Sequence, residues 1–196
     1  IRDKHLTGVQ TCALPISHRV LTDAVIEVKD FADYKKQLAV GHVILDAAER
    51  RQIIIDGAVK LAADAGLTLR DDPVLLDEVA GLVEWPVPLM GSIDAQFMDI
   101  PPEVLTTTMR ENQKYFALEN SGGTLAPKFI TVANKETPDG GAAIIAGNER
   151  VLRARLADAK FFWDQDRKAT LESRVGALED ITFHTKLGTL AHKMER

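Results

Sequence analysis

The stretch GNERVLRARLADAKFFWDQD (147–166) combines arginine and lysine with three consecutive aromatic residues. Basic side chains bind phosphate groups and aromatic rings stack on unpaired bases, so this composition raises the question of nucleic-acid binding. An α-helix turns by about 100° per residue, which predicts one apolar stripe along the stretch. The stripe consists of Leu152, Leu156, Ala159 and Trp163. Arg153 and Lys160 lie together on one flank of this stripe.

Two interpretations of this helix compete. In the first, the basic residues contact phosphate; in the second, they lie at the margins of a core helix, where their aliphatic stems cover apolar surface. Apolar residues on the opposite side predict that the helix packs on more than one side and that Trp163 is buried. Glu149 with Arg153, and Arg155 with Asp158, have the spacing of weak pairs within one helix. These features favour the core helix with charged margins.

A second group of hydrogen-bond donors lies in the segment TTTMRENQKYF. Arg110 and Lys114 are spaced i,i+4 and therefore share a helix face, beside Asn112 and Gln113. Such helix ends are often simply solvated, but these side chains also suit a sugar–phosphate backbone. Nucleic-acid contacts of this chain are therefore expected where basic residues cluster locally. The positions are Arg110, Lys114, Arg153 and Lys160.

No arrangement of residues indicates a catalytic or a metal site. The segment GGAAIIAGNE lacks the Gly-Lys-Ser/Thr ending of a phosphate-binding loop, so a turn or hinge is the better interpretation. No serine lies in a nucleophile-elbow pattern. The histidines beyond residue 17 lack the spacing of metal ligands and are expected at the surface or at helix caps. They are His18, His42, His184 and His192.

Composition and charge restrict the class of protein. The 196 residues are 45% hydrophobic and 27% charged, as in ordinary globular chains, and no apolar run of roughly 18 residues suggests a membrane span. The net charge of -5 excludes a global attraction to nucleic acid, so any such contact must be local. Cys12 is the only cysteine, which excludes an intrachain disulfide and fits a cytoplasmic location.

Local signals place several helices. Asp72 and Pro73 are typical of the first positions of a helix in DDPVLLDEVAGLV, and Gly66 is expected to end the long helix before it. A further helix is predicted for 147–166, beginning at Asn148 or earlier. The segment LESRVGALEDITFHTKLGTLAHKMER predicts a helix, a short extended stretch and the beginning of another helix.

Strand signals complete the predicted fold. The segments KYFAL and KFITVAN, joined by ENSGGTLAP, predict a hairpin, and Pro86 and Pro88 mark VPLMGSI as an edge strand. Brief strands are also expected at AVIEVKD (24–30) and HVIL (42–45). The predicted fold class is α+β, with a small, mostly antiparallel sheet and helices on one side of it.

Long co-linear segments of the sequence resemble the β subunit of bacterial glycyl-tRNA synthetase. They are HVILDAAERR, GLVEWPVPLMGSIDAQFMDIPPEVLTTTMRENQKYFAL, KFITVAN, AGNERVLRARLADAKFFWDQD and FHTKLGTLAHKMER. The resemblance extends over nearly all of residues 18–196. Ordered matches of this length are far more specific than a short motif.

The resemblance also implies a domain organisation. Residues 18–180 correspond to an α+β domain similar to the editing-module-like region of the phenylalanyl enzyme's β chain, and residues 181–196 to the start of a truncated, all-helical HD-like domain. None of the histidines is followed by aspartate, so no HD metal signature transfers to this sequence. Residues 1–17 lack helical or strand periodicity and are predicted to be a non-native lead-in. The family usually has a glycine where Ser17 precedes His18.

By resemblance, the parent enzyme attaches glycine to tRNA(Gly) with ATP and has two α and two β chains. The α chain holds ATP with Mg²⁺ and glycine, while the β chain contributes tRNA binding and assembly, so this chain is expected to be non-catalytic and free of cofactor. A freestanding hydrolase that edits mischarged tRNA and a purely structural interaction module are the alternatives.

We predict that this chain alone does not activate glycine. The resemblance assigns adenylation to the other subunit, and no ATP-binding motif is recognisable here. Pyrophosphate exchange that depends on ATP and glycine should therefore stay at background with the purified chain, and clear exchange would overturn this division of labour.

Overall fold

The computed structural model describes residues 17–22, 26 and 28–194. Its helices are α1 (Phe31–Val40), α2 (Ala47–Asp64), α3 (Pro73–Leu82), α4 (Pro102–Thr107), α5 (Ala142–Asp166) and α6 (Leu190–Met194). Its strands are β1 (Thr68–Leu69), β2 (Val87–Ser92), β3 (Phe116–Glu119), β4 (Leu125–Ala133), β5 (Thr182–His184) and β6 (Gly188–Thr189). Short 3₁₀ segments occupy Ala95–Phe97 and Glu172–Glu179, and a π-helical turn follows α4 at Thr108–Gln113.

The main sheet is antiparallel, with strand order β1-β3-β4-β2. β3 and β4 form the predicted hairpin, with a register shift between Ala117 and Glu119. β2 lies at the edge of the sheet and pairs with β4 along its whole length, from Val87 opposite Ala133 to Ser92 opposite Lys128. The α+β fold class, the hairpin and the edge strand are therefore confirmed.

Both faces of the sheet are covered, so the expectation of helices on one side is wrong. Because side chains alternate along a strand, Ile130 and Phe129 of β4 point to opposite faces. Ile130 joins a core with α2 and α3, whereas Phe129 joins a second core with α4, the π-helical turn and α5. The residue pattern of KFITVAN would suit a sheet that packs on one face only. In the structure, apolar side chains of α2 and α3 cover one face, and those of α4 and α5 cover the other.

The helix boundaries follow the local signals in α2 and α3. Asp72 caps α3, since its carboxylate accepts a hydrogen bond from the Leu75 backbone N–H at 2.9 Å. Gly66 follows the end of α2 with a φ of 69°, a left-handed conformation that favours glycine, and the Leu67 N–H reaches back to the Ala62 carbonyl. The cap and the terminator predicted from sequence are thus confirmed.

Several expected elements differ. HVIL (42–45) is not a strand, because the Arg50 guanidinium binds the carbonyls of Ile44 and Leu45 and holds the segment as a loop. The helix expected within 171–180 is a 3₁₀ segment without buried residues. The strand expected at AVIEVKD includes residues 24, 25 and 27, which lie outside the described residues.

The ends of the chain leave part of the domain division untested. Residues 1–16 of the predicted lead-in lie outside the described residues, while Ser17 is buried beside Gly41. After residue 180 the chain forms the β5–β6 hairpin and then α6, in the order expected. The continuation into an HD-like domain stays a prediction.

α5 begins at Ala142, earlier than Asn148, and is buried on one side only. Leu152 and Leu156 are fully buried, as the apolar stripe predicts. Packing on more than one side is wrong, because the opposite side is exposed and Phe161 retains 57% of its surface. Trp163 is half-buried rather than buried. No second layer of the described chain lies over α5, so the sequence pattern alone overestimated its burial.

A glycine on the edge strand accommodates a fully buried aromatic ring of the second core. Gly91 of β2 pairs with Phe129 of β4, and a methyl group added to Gly91 would lie 2.3 Å from the ring. The ring cannot move aside easily, because Phe129 is fully buried and stacked on Tyr115 with centroids 4.6 Å apart. Burial raises the pKa of Tyr115 to about 12, so its hydroxyl stays protonated and donates to Asn148 on α5.

We predict that Gly91→Ala destabilises the chain by about 1–3 kcal/mol, because the added methyl group overpacks a filled core. Gly147→Ala is the matched control, since Gly147 is exposed within α5 and no atom lies within 4 Å of the added group. Alanine is the better helix former there and should stabilise by roughly 0.5–1 kcal/mol. Denaturant unfolding of both variants measures the difference. Equal stability of the variants would contradict the close approach.

Candidate functional site

All four basic residues that were predicted as site residues form ion pairs. Their carboxylate partners lie on other elements or on the same helix. Arg110 and Lys114 lie on and after the π-helical turn, and Arg153 and Lys160 lie on one flank of α5. None of them is a free cation.

Arg110 connects the π-helical turn to the beginning of α3. Its Nε lies 2.6 Å from Oδ2 of Asp72, and its Nη1 contacts Glu111. Burial acts to raise the pKa of Asp72, but the bonds from the Leu75 N–H and from Arg110 outweigh it and lower that pKa. The same bond raises the pKa of the Arg110 guanidinium. Asp72 therefore caps a helix and anchors an arginine at once.

Lys114 has a left-handed backbone conformation, with φ 59° and ψ 40°. It occupies the position after a helix end where glycine is usual, and the Tyr115 N–H binds the Met109 carbonyl at 3.0 Å to close the turn. Its Nζ lies 2.8 Å from a carboxylate oxygen of Glu78 on α3. A left-handed backbone conformation strains any residue with a Cβ atom, so glycine would fit this position better than lysine. The ion pair with Glu78 is a contact that glycine could not make.

Arg153 and Lys160 fasten α5 to the segment after β2. Arg153 forms a bidentate pair with Asp94, at 2.7 and 3.0 Å, which lowers the pKa of Asp94 and raises that of Arg153. Lys160 lies 2.8 Å from Asp99 and 3.3 Å from Asp164, and its bond to Asp99 lowers the pKa of that carboxyl.

Glu149 extends the same row along α5. It does not pair with Arg153, as its i,i+4 spacing suggests, but accepts a hydrogen bond from the Ser92 backbone N–H at 2.8 Å. We call this row of contacts, from Glu149 and Arg153 to Lys160, the polar seam. On this flank the structure supports the interpretation of α5 as a core helix, because the charged side chains bind other groups of the same chain.

A groove that the sequence reasoning missed lies beside Arg110. It consists of two adjoining pockets of about 290 and 480 Å³ that share Arg70 and Thr106. Arg70 also lies 3.7 Å from Glu119, across the pairing of β1 with β3. Arg70 lies two residues before the helix cap Asp72, in a segment whose residue pattern predicts only the start of a helix. The signal was an arginine next to a strand of the main sheet.

The histidines at positions 18, 42, 184 and 192, all of which the structure describes, do not form a site, but one prediction about them is wrong. His18 is buried rather than at the surface. Its Nδ1 accepts hydrogen bonds from the backbone N–H groups of Val20 and Leu21, so its Nε2 carries the proton and donates to the Asn134 carbonyl at 2.6 Å. His18 thus attaches the first described residues to the end of β4.

Residues 17–22, 26 and 28–194 contain neither a cluster of metal-ligand residues nor a helix that could span a membrane. In this part of the chain no three histidine, cysteine, aspartate or glutamate residues come together as metal ligands would. None of the helices described has the length and apolar character needed to cross a membrane.

Comparison with known proteins identifies the family. A family model described as "Glycyl-tRNA synthetase beta subunit" matches residues 3–196. The chain belongs to this family. The match begins within the segment predicted as a lead-in, whose origin stays a prediction.

Individual relatives agree with the family match. The "Glycine--tRNA ligase beta subunit" of Rhodospirillum centenum is 62% identical over 179 residues, which is 91% of this chain and 25% of that protein. The proteins of the same name from Phenylobacterium zucineum and Rickettsia felis are 50% and 45% identical, over 96% and 98% of this chain and 29% of each relative. The chain thus spans roughly a quarter of the length of these relatives.

We predict that Lys114→Gly is more stable than Lys114→Ala by about 1 kcal/mol, because glycine adopts the left-handed conformation without strain. Both variants lose the ion pair with Glu78, so the comparison isolates the backbone. Urea midpoints of the two variants provide the measurement. Greater stability of the alanine variant would show that the turn is not strained at this residue.

Proposed function

We propose that this chain is part of the β subunit of a glycine–tRNA ligase and that it contributes tRNA binding and subunit assembly rather than the adenylation site. The observation that carries the proposal is the family match over residues 3–196, together with relatives that bear this name. Those names favour a ligase subunit over a freestanding editing hydrolase. The enzyme belongs to protein biosynthesis, and we place it in the cytoplasm.

The proposed partners follow from the same family. A subunit called β implies an α chain, and we propose an assembly of two α and two β chains that acts on tRNA(Gly). In this proposal the holoenzyme uses ATP, together with Mg²⁺, on the α chain. The part described here then has to bind RNA and protein without performing adenylation.

The proposed tRNA contacts must compete with the carboxylates that already bind the basic residues. Exposed ion pairs contribute only about 0–1 kcal/mol, so a phosphate can replace or share such a partner at little cost. Arg110 and Arg153 are the better candidates, with 41% and 51% of their side chains exposed. Lys114 and Lys160 retain 31% and 27% and are less accessible.

Arg153 offers the sharpest test, because its partner Asp94 does not cap a helix with its side chain. The partner of Arg110, by contrast, also caps α3. Asp94→Asn therefore releases positive charge on the polar seam without removing a helix cap.

In the reconstituted holoenzyme we expect Arg153→Ala to weaken tRNA binding and to reduce the salt slope by about one unit. Asp94→Asn should strengthen binding, because it leaves Arg153 free for phosphate. Lys60→Ala is the control, since Lys60 forms an exposed pair with Asp64 on α2. Filter binding against salt concentration gives both quantities. If Arg153→Ala and Asp94→Asn leave the affinity and the slope at the control values, Arg153 serves only the polar seam.

A further inference from the structure

The groove beside Arg110 carries an excess of negative charge. Two guanidinium groups line it, from Arg70 and Arg110, against five carboxylates. The carboxylates belong to Asp71, Asp72, Glu103, Glu111 and Glu119. The net charge of the groove is thus negative by three charges, whereas the whole chain of 196 residues has a net charge of -5. We call the two adjoining pockets the acidic groove.

Two of these carboxylates have no partner in the part of the chain that the structure describes. The two arginines engage the other three carboxylates, whereas Asp71 and Glu103 form neither a side-chain hydrogen bond nor an ion pair there. Asp71 directly precedes the cap of α3, and Glu103 lies in the first turn of α4. The two carboxylates therefore come from different elements around the groove, and both can accept hydrogen bonds from a cationic partner.

The floor of the acidic groove is apolar. Met98, Leu105 and Leu125 line the wider pocket, and Leu75 and Phe116 line the narrower one. Met98 and Leu125 are partly exposed, so the floor offers apolar surface to an occupant. An occupant then needs apolar atoms for the floor and positive charge for the rim. Lysine and arginine side chains combine the two, because an aliphatic stem carries the charged head.

The same features disfavour other ligands. The excess of carboxylates repels phosphate, so RNA is a poor occupant, and of the two arginines favoured for tRNA contact Arg153 lies outside the groove. No three metal-ligating side chains come together among the residues described, which disfavours a divalent cation. An apolar centre inside a charged rim is the usual arrangement of a protein interface.

We propose that the acidic groove binds a basic segment of the α chain, with cationic side chains at Asp71 and Glu103 and their aliphatic stems on the floor. The inference rests on the proposed function, which supplies the α chain as a partner. Among the proposed partners, tRNA carries the wrong charge for this groove. A second copy of this chain is also a poor match, because its net charge is negative.

Association of the α chain with the full-length subunit tests the proposal. The groove variant, Asp71→Asn with Glu103→Gln, removes both unpaired charges and preserves the shapes of the side chains. The control variant, Glu84→Gln with Asp158→Asn, neutralises two exposed carboxylates that also form no ion pair in the described chain and lie outside the groove. Thermal midpoints establish that both variants are folded. Association rate and affinity for the α chain are then measured on the immobilised subunit over a series of salt concentrations.

We expect the groove variant to associate with the α chain at least about fivefold more slowly than the control variant at low salt. The difference should shrink as salt rises, because rim charges act mainly on the association rate and are screened by salt. A second variant, Asp71→Lys with Glu103→Lys, should associate more slowly still, since it places like charges at the interface.

Equal association of the groove and control variants overturns the proposal and leaves the proposed assembly intact. Absence of α-chain binding by the unsubstituted subunit contradicts the assembly itself and removes the occupant with it. Stronger tRNA binding by the groove variant, with α-chain association unchanged, also overturns the proposal and assigns the groove to RNA.

Discussion

The contact of Phe129 with Gly91 connects the edge strand of the main sheet to the second core. Gly91 lets the ring lie across the edge strand, and the ring in turn stacks on Tyr115, whose hydroxyl donates to Asn148 on α5. One chain of contacts therefore joins the edge strand, the central strand, the residue before β3 and the longest helix. An aromatic ring over a cross-strand glycine also pins the register of the strands, because a shift by one residue would place the ring over a side chain.

The sheet separates two cores, and this arrangement determines how the charges are used. The core with α2 and α3 contains no residue of α5. In the other core, α5 contributes few apolar residues and is also held by the ion pairs and hydrogen bond of the polar seam. Arg153 and Lys160 thus stabilise the placement of α5 against the segment after β2. A tRNA contact at these residues would use groups already oriented by carboxylates, so recognition and architecture share the same side chains.

The proposed functions divide α5 by its sides. The buried stripe holds the helix on the sheet, and the polar seam is the flank on which RNA contact is proposed. The remaining side of the helix is exposed in the part of the chain that the structure describes, where Phe161 retains 57% of its surface.

Features that depend on neighbours in the chain could be predicted from the amino-acid sequence. The cap at Asp72, the end of α2 at Gly66 and the β3–β4 hairpin each arise from a few consecutive residues, and the family follows from long co-linear matches. The burial of His18, the exposure of Phe161 and the partners of the basic residues depend instead on how distant segments pack. Arg153 and Asp94 are 59 residues apart, and Lys160 and Asp99 are 61 apart. Local periodicity describes which residues share a face, but the atoms that meet that face come from distant segments, so packing alone decides whether a charge is free or paired.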